Sequence, residues 1–263
     1  MHIRQDLFAY DADLVRKTGL PLKEIARYST GVSEGEMTTA TSSHIVAVVP
    51  ITSGQGVVEN FTGAVEGILV HIGANAFITA SSDVAGLAEG IEKGANIAFL
   101  ADDNRFIALN LPSRRIIDNV EATAKGFVSA LDAMAGGLSR REVLVIGGAG
   151  CVGWNAVLAL EDRGAKVAVI DLNQEKVSSL VIGHEITVER NMEEALSRYT
   201  VFFDASPAAN IIQVKHITPE TFIAAPGVPL GLSEEAYRLV RERLIHDVLE
   251  IGVATMFVQA SCN

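Results

Sequence analysis

Residues 142–171 read EVLVIGGAGCVGWNAVLALEDRGAKVAVID, and the fold turns on this stretch. The apolar run VLVI from Val143 to Ile146 is a buried strand. It is followed at once by Gly148, Gly150 and Gly153 in the spacing GxGxxG, and then by a helix to about Arg163 with Val157, Leu158 and Leu160 on its apolar face. The three glycines have separate tasks: the first permits a tight turn, the second lets a pyrophosphate approach the backbone, and the third lets helix and strand pack closely. At the start of that helix the amides of Cys151 and Val152 lack intrahelical acceptors and are free to meet an anion. The second strand, KVAVI, runs into Asp171, eighteen residues beyond Gly153. A carboxylate there accepts hydrogen bonds from ribose hydroxyls and repels a 2′-phosphate, so the expected cofactor is NAD rather than NADP. Glycines used only for packing are the bland alternative.

Downstream, Ile186–Val188, Val201–Phe203 and Phe222–Ala225 read as further strands, with a helix over Met192–Arg198. Strand ends of such a sheet receive the nicotinamide half of the cofactor. On that ground Ala205, Ser206 and Pro207, after VFFD, and Gly227, after FIAAP, are cofactor candidates. Ser206 equally suits the cap of a following helix, and Gly227 a plain turn. Ser233–Ile251 reads as a closing amphipathic helix.

Upstream, Ile3–Arg27 reads as helices carrying Leu7, Tyr10, Leu14, Leu22, Ile25 and Ala26, and the polar run from Ser29 to Ser43 as a loop. Then comes β-α-β-α-β-β. Strands fall at Ile45–Val49, Ala76–Thr79, Ile97–Leu100 and Phe106–Leu111. Ser53 caps a helix with Val57, Val58, Phe61, Val65, Ile68, Leu69 and Ile72 on its face, and Ser82 or Asp83 caps the next. Asp118 caps a long helix that stops at Gly136 and Gly137, where a domain boundary is expected. The predicted architecture is α/β: a helical and α/β substrate domain over 1–137, then a Rossmann-like NAD-binding domain over 138–263.

Right-handed crossovers make the first three strands parallel, so Thr52 and Ser53, Ser81, Ser82 and Asp83, and Asp102 and Asp103 share one sheet edge. Helix amides at Ser53 and Ser82 suit a carboxylate, and the aspartates suit an ammonium group. A zwitterionic, amino-acid-like ligand fits both. The competing reading makes Ser53, Ser82 and Asp83 ordinary caps and Asp102 and Asp103 a turn; of that pair, Asp103 is favoured for the cleft.

Composition narrows the function further. A net charge of -11 opposes partners that need clustered cations, namely nucleic acid and anionic membranes. Only two cysteines occur, Cys151 in the glycine turn and Cys262, which suits a reducing cytoplasm. The amino-terminal residues lack the apolar region of a signal peptide, and no run approaches a membrane span. The six histidines share no ligand spacing with each other or with cysteine, so no metal is expected. A homodimer is compatible with all of this.

The motifs PITSGQG at 50–56, SSDVAGLAE at 81–89, ADD at 101–103, ALDAMAGGL at 130–138 and APGVPLGL at 225–232 together resemble the pyrrolysine-biosynthesis dehydrogenase family, PylD. The likeness covers nearly the whole chain from about Leu7. It implies an oxidoreductase that uses NAD to oxidise the terminal amine of the small isopeptide L-lysine-Nε-(3R)-methyl-D-ornithine, followed by closure of a pyrroline ring. Carried over by motif, substrate contacts fall on Ser53, Ser82, Asp83 and Asp103, with Thr52 and Asp102 beside them. Asp103 takes the catalytic role, holding the ammonium and then the iminium by charge. Trp154 and Ala80 depart from the expected pattern. Competing readings are a dehydrogenase of another amino or hydroxy acid and a non-catalytic NAD-sensing regulator.

Overall fold

The computed structural model describes residues 4–54 and 60–262 of the chain. Val57 and Val58, expected on a helix face, lie outside the described residues.

Helix α1 spans Arg4–Thr18 and α2 spans Leu22–Thr30, the latter burying Leu22, Ile25 and Ala26 and ending at Gly31 with φ +70°. The polar run read as a loop contains a third helix, α3, over Glu34–Ser43. Its start is a capping box: the Ser33 hydroxyl accepts from the Glu36 amide, and the Glu36 carboxylate accepts from the Ser33 amide at 2.8 Å. Such a cap stabilises a helix by about 1 kcal/mol. Thr38, Thr39, Ser42 and Ser43 return their hydroxyls to carbonyls one turn back, so polar side chains serve the helix from within. Only Met37 and Ala40 are buried, too few to write a helical period into the sequence.

Strands β1 (Ile45–Val49), β2 (Asn75–Ile78) and β3 (Ile97–Ala101) alternate with α4 (Phe61–His71) and α5 (Asp83–Glu92); β4 (Phe106–Asn110) and β5 (Arg115–Asp118) follow. The sheet order is β2-β1-β3-β4-β5, with β1 to β3 parallel and β4 and β5 antiparallel. Helix α4 departs from expectation at its start, which has Asn60 rather than Ser53 at the N-cap. Asp118 takes the Val120 amide at 3.0 Å as α6 (Asn119–Met134) begins.

A second sheet is built from β6 (Glu142–Ile146), β7 (Lys166–Ile170), β8 (Thr187–Val188), β9 (Val201–Asp204), β10 (Phe222–Ala224) and β11 (Leu244–Ile245). Its order is β11-β10-β9-β6-β7-β8, parallel throughout, which is the doubly wound Rossmann order 3-2-1-4-5-6. Helices α7 (Cys151–Asp162), α8 (Gln174–Leu180), α9 (Met192–Arg198) and α10 (Glu234–Val240) complete it. The centre of this sheet is apolar because both faces are covered: Val143 to Ile146 and Val201 to Phe203 are all buried. Arg163, just beyond α7, donates to Asp132 at 2.8 Å and to Ser129 at 2.7 Å, which ties the end of α6 to the same unit.

The compact units divide differently from the expected 1–137 and 138–263. One gathers the amino-terminal helix to Val15, Leu20–Gly126 and the segment from Leu249 to the end; the other gathers Arg16–Gly19 and Phe127–Val248. The closing segment is not one helix. Ser233 caps α10, β11 interrupts, and α11 (Glu250–Ser261) returns to the first unit, packing on α2, α4, β4 and β5. Ile251 to Ala260 are buried without a break, which explains why amphipathic periodicity failed to place α11. Among the described residues, no helix is long and apolar enough to cross a membrane.

Candidate functional site

In the second unit the chain leaves β6 through Gly147, whose φ of +80° makes the reversal. The tight turn assigned to Gly148 therefore belongs to its neighbour, and Gly148 is needed for space instead: a Cβ there would overlap the Val169 side chain. Gly150 is the N-cap of α7, and a Cβ on Gly153 would overlap the Gly147 carbonyl oxygen. Side chains would fill this cradle, which is the property a phosphate-binding turn requires. Cys151 and Val152 open α7, so their amides belong to the first turn. The Cys151 side chain is exposed and makes no disulfide.

Asp171 lies beside that turn. Its carboxylate accepts the Ala149 amide at 2.9 Å and the Asn173 amide at 2.8 Å, so the acidic residue and the glycine loop form one hydrogen-bonded unit.

At the switch point between β6 and β9, the backbones of Gly147, Ala205, Ser206 and Gly227 crowd together. A Cβ on Gly147 would lie 3.0 Å from Ala205 and Ser206, and one on Gly227 would overlap the Ser206 carbonyl. Gly227 is thus demanded by its neighbouring turn. Ser206 caps no helix: its hydroxyl donates to Asp204 at 2.7 Å, and Pro207 follows. Asp204, the strand-end residue that opens this run, is fully buried, and burial raises its carboxyl pKa.

In the first unit, the structure joins several of the predicted substrate residues. Asp83, at φ +54°, accepts the Thr52 amide at 2.8 Å, the Thr52 hydroxyl at 2.6 Å and the Ser82 hydroxyl at 3.1 Å. The Thr52 bonds, hydroxyl first, hold its carboxyl below the usual range. Ser82 occupies the N-cap of α5 but makes no side-chain cap bond, having turned its hydroxyl to Asp83. Ser53 is exposed next to Thr52. Glu89 joins this edge without any spacing signal in the sequence. It accepts the Ala80 and Ser81 amides at 3.0 and 2.7 Å and Lys93 at 2.7 Å, which lowers its pKa to about 2 with the lysine as the largest cause.

Asp102 and Asp103 separate in role. Asp102 accepts the amides of Asn104 and Arg105, both at 2.8 Å, and closes the β3–β4 turn; these bonds, Arg105 first, lower its pKa. The Asp103 carboxylate lies against Gly54, at φ +71°, where a Cβ would overlap it. Both aspartates line a cavity of about 120 Å³ whose other walls are mostly apolar, including Ile51, Phe61, Phe99 and Phe106. Phe106 meets Phe61 and Phe99 edge-on, with centroids 5.3 and 6.1 Å apart. Apolar walls with two acidic residues among the lining suit an alkyl chain that ends in a cation.

Residues 2–117 match the family described as pyrrolysine biosynthesis protein PylD, N-terminal domain. The chain is 30% identical over 255 residues to pyrrolysine synthase of Methanosarcina acetivorans, covering 97% of this chain and 94% of that one. The chain belongs to the pyrrolysine synthase family, PylD. Membership in PylD ties it to pyrrolysine biosynthesis, and residues 119–214 match the alanine dehydrogenase/PNT C-terminal domain, so its second unit is of dehydrogenase type. Shikimate dehydrogenase from Aquifex aeolicus superposes with a TM-score of 0.56 at 13% identity, covering 82% of this chain and 90% of that one. Quinate dehydrogenase from Corynebacterium glutamicum, solved in complex with NAD, gives 0.55 at 14% identity over 83% and 93%. At such identities the likeness establishes fold alone.

Proposed function

We propose that this protein uses NAD to oxidise the terminal amine of L-lysine-Nε-(3R)-methyl-D-ornithine and releases pyrrolysine after ring closure. The observation that carries this reading is the first unit's cavity, mostly apolar along its walls and lined also by Asp102 and Asp103, in a chain of the PylD family. The glycine cradle, the α7 amides and Asp171 would hold the dinucleotide, which supplies a two-electron oxidant when bound.

The residues of the chain divide the remaining work. A terminal ammonium has an unperturbed pKa near 10, and its nitrogen must lose a proton before the adjacent carbon can be oxidised. Asp103 holds the cation beforehand and stabilises the iminium afterwards; a carboxylate is too weak a base to serve as the proton's final acceptor, which is water. The Thr52, Ser82 and Asp83 cluster orients the polar end of the substrate. Water adds to the iminium and ammonia leaves, giving an aldehyde; the ornithine α-amine then attacks it and expels water to form the five-membered imine. Proximity within one molecule drives that closure.

The test is direct. Purified protein with NAD and this isopeptide should form NADH and, by mass spectrometry, a single product lacking two hydrogens and ammonia relative to the substrate. NADH formation from simple amino acids but not from the isopeptide would sink the assignment.

Asp171 sets a second expectation. The wild-type enzyme should use NAD more efficiently than NADP by at least about tenfold, or roughly 1.4 kcal/mol, because a 2′-phosphate would meet this carboxylate. Asp171→Ser should narrow the ratio and also weaken NAD use, since it removes the acceptor of the Ala149 amide. Equal kcat/KM for both dinucleotides in the wild type would dismiss this role.

A further inference from the structure

Asp204 ends β9 at the switch point and is fully buried. Its Oδ1 accepts the amide and hydroxyl of Ser206, at 3.0 and 2.7 Å, while Oδ2 has no hydrogen-bond partner among the described residues. Its backbone carbonyl accepts the Gly227 amide at 3.2 Å, and Gly231 packs so closely that a Cβ there would overlap Oδ2. One side chain thus touches both turns that end β9 and β10.

Among the described residues, His246 is the group whose charge could offset a negative one there. Its register partner on β6 is Ile146, Ala225 follows β10, and residues 205–210 and 225–232, ASPAAN and APGVPLGL, carry no charge. The titratable group acting on it is His246, beyond β11. The His246 Nδ1 lies 2.6 Å from the Ala225 carbonyl, which can only accept, so that nitrogen carries its proton toward Ala225. An unpaired buried anion costs far more than a neutral hydroxyl in the same place. Burial raises the carboxyl pKa against the opposing effects of the Ser206 bonds and, least, of His246.

We propose that Asp204 is a positioning residue that acts as the neutral acid, protonated on Oδ2, and holds the 205–207 and 227–231 turns in the shape that receives the nicotinamide half of the dinucleotide. The last part rests on the cofactor reading above; the protonation does not.

Two measurements separate these parts. The first is thermal stability without dinucleotide, followed between about pH 4 and pH 9, for the wild type and Asp204→Asn. A folded pKa above the ordinary 3.8 means that the native state keeps a proton which the unfolded chain releases. Wild-type stability then falls as pH rises from the unfolded to the folded pKa. Asparagine, which places an amide where the acid hydroxyl stands, escapes this loss, so its melting temperature should gain on the wild type across that window. A gap that moves the other way would show an ionised, paired Asp204 and overturn the proposal.

The second measurement is NADH affinity by fluorescence titration. Asp204→Ala should bind at least about tenfold more weakly, Ser206→Ala about threefold to tenfold, and the conservative Asp204→Asn should rescue affinity to within about threefold of wild type. Ser206→Ala also covers the case in which the alanine at 204 fails to fold. Wild-type affinity in both alanine variants would overturn the positioning role. Failure of the wild type itself to bind NADH would instead overturn the cofactor reading, with the stability measurement still deciding the proton.

Discussion

Gly153→Val is expected to weaken dinucleotide binding by at least about tenfold and to cost roughly 1–3 kcal/mol of stability. A Cβ at this position meets the Gly147 carbonyl oxygen and then the Gly148 Cα, all backbone, so no rotamer change relieves the overlap. Helix α7 must instead move away from β6. That movement withdraws the Cys151 and Val152 amides from the place proposed for the pyrophosphate, and it strains the Ala149 amide that Asp171 accepts. Gly35→Ala is the comparison: its Cβ meets nothing within 4 Å inside α3, so it should keep NADH affinity and gain about 0.5–1 kcal/mol from its better helix propensity. NADH titration and thermal melts on both variants check the prediction. Wild-type affinity in Gly153→Val would mean that the turn does not bind the dinucleotide.

The same turn shows how far the sequence could be read. Spacing alone located Gly148, Gly150, Gly153 and Asp171, because a strand, a tight turn and a helix impose a fixed geometry on a few residues close in sequence. It misplaced the turn's one left-handed residue, Gly147, since adjacent glycines are indistinguishable until the backbone is seen. Strands β1 to β3 were legible for the same local reason, and Thr52, Ser82 and Asp83 followed from parallel topology. What escaped depended on partners distant in sequence or on signals that were not apolar. Helix α3 is written in hydroxyls and a capping box; α11 is buried on every side, Thr255 and Gln259 included, where it packs into the first unit. Glu89 and Asp204 act by what they touch, the Ala80–Ser81 amides and the buried turns, and neither contact leaves a spacing rule to find.

Asp103→Asn is expected to lower kcat/KM for the amine substrate by about tenfold to a hundredfold, the worth of one charge-assisted contact of roughly 1.5–3 kcal/mol, while leaving NADH affinity unchanged. The substitution keeps the shape of the side chain beside Gly54 and removes its charge, so the loss reports on the cation that Asp103 is proposed to hold. Asp103 belongs to the first unit and the glycine turn to the second, so NADH affinity serves as the control readout for an intact turn. If the charge stabilises the iminium more than the ammonium, kcat falls and KM moves little; if it serves binding alone, KM rises and kcat holds. Asp102→Asn is the sharper control, because Asp102 spends one oxygen on the Asn104 and Arg105 amides, and asparagine keeps that acceptor. Its expected loss is less than about threefold, the scale of a weakened neutral hydrogen bond. Steady-state kinetics on the two variants decide between the carboxylates: a large loss at 102 with none at 103 would transfer the catalytic charge to the turn residue and leave Asp103 a partner of the Gly54 loop.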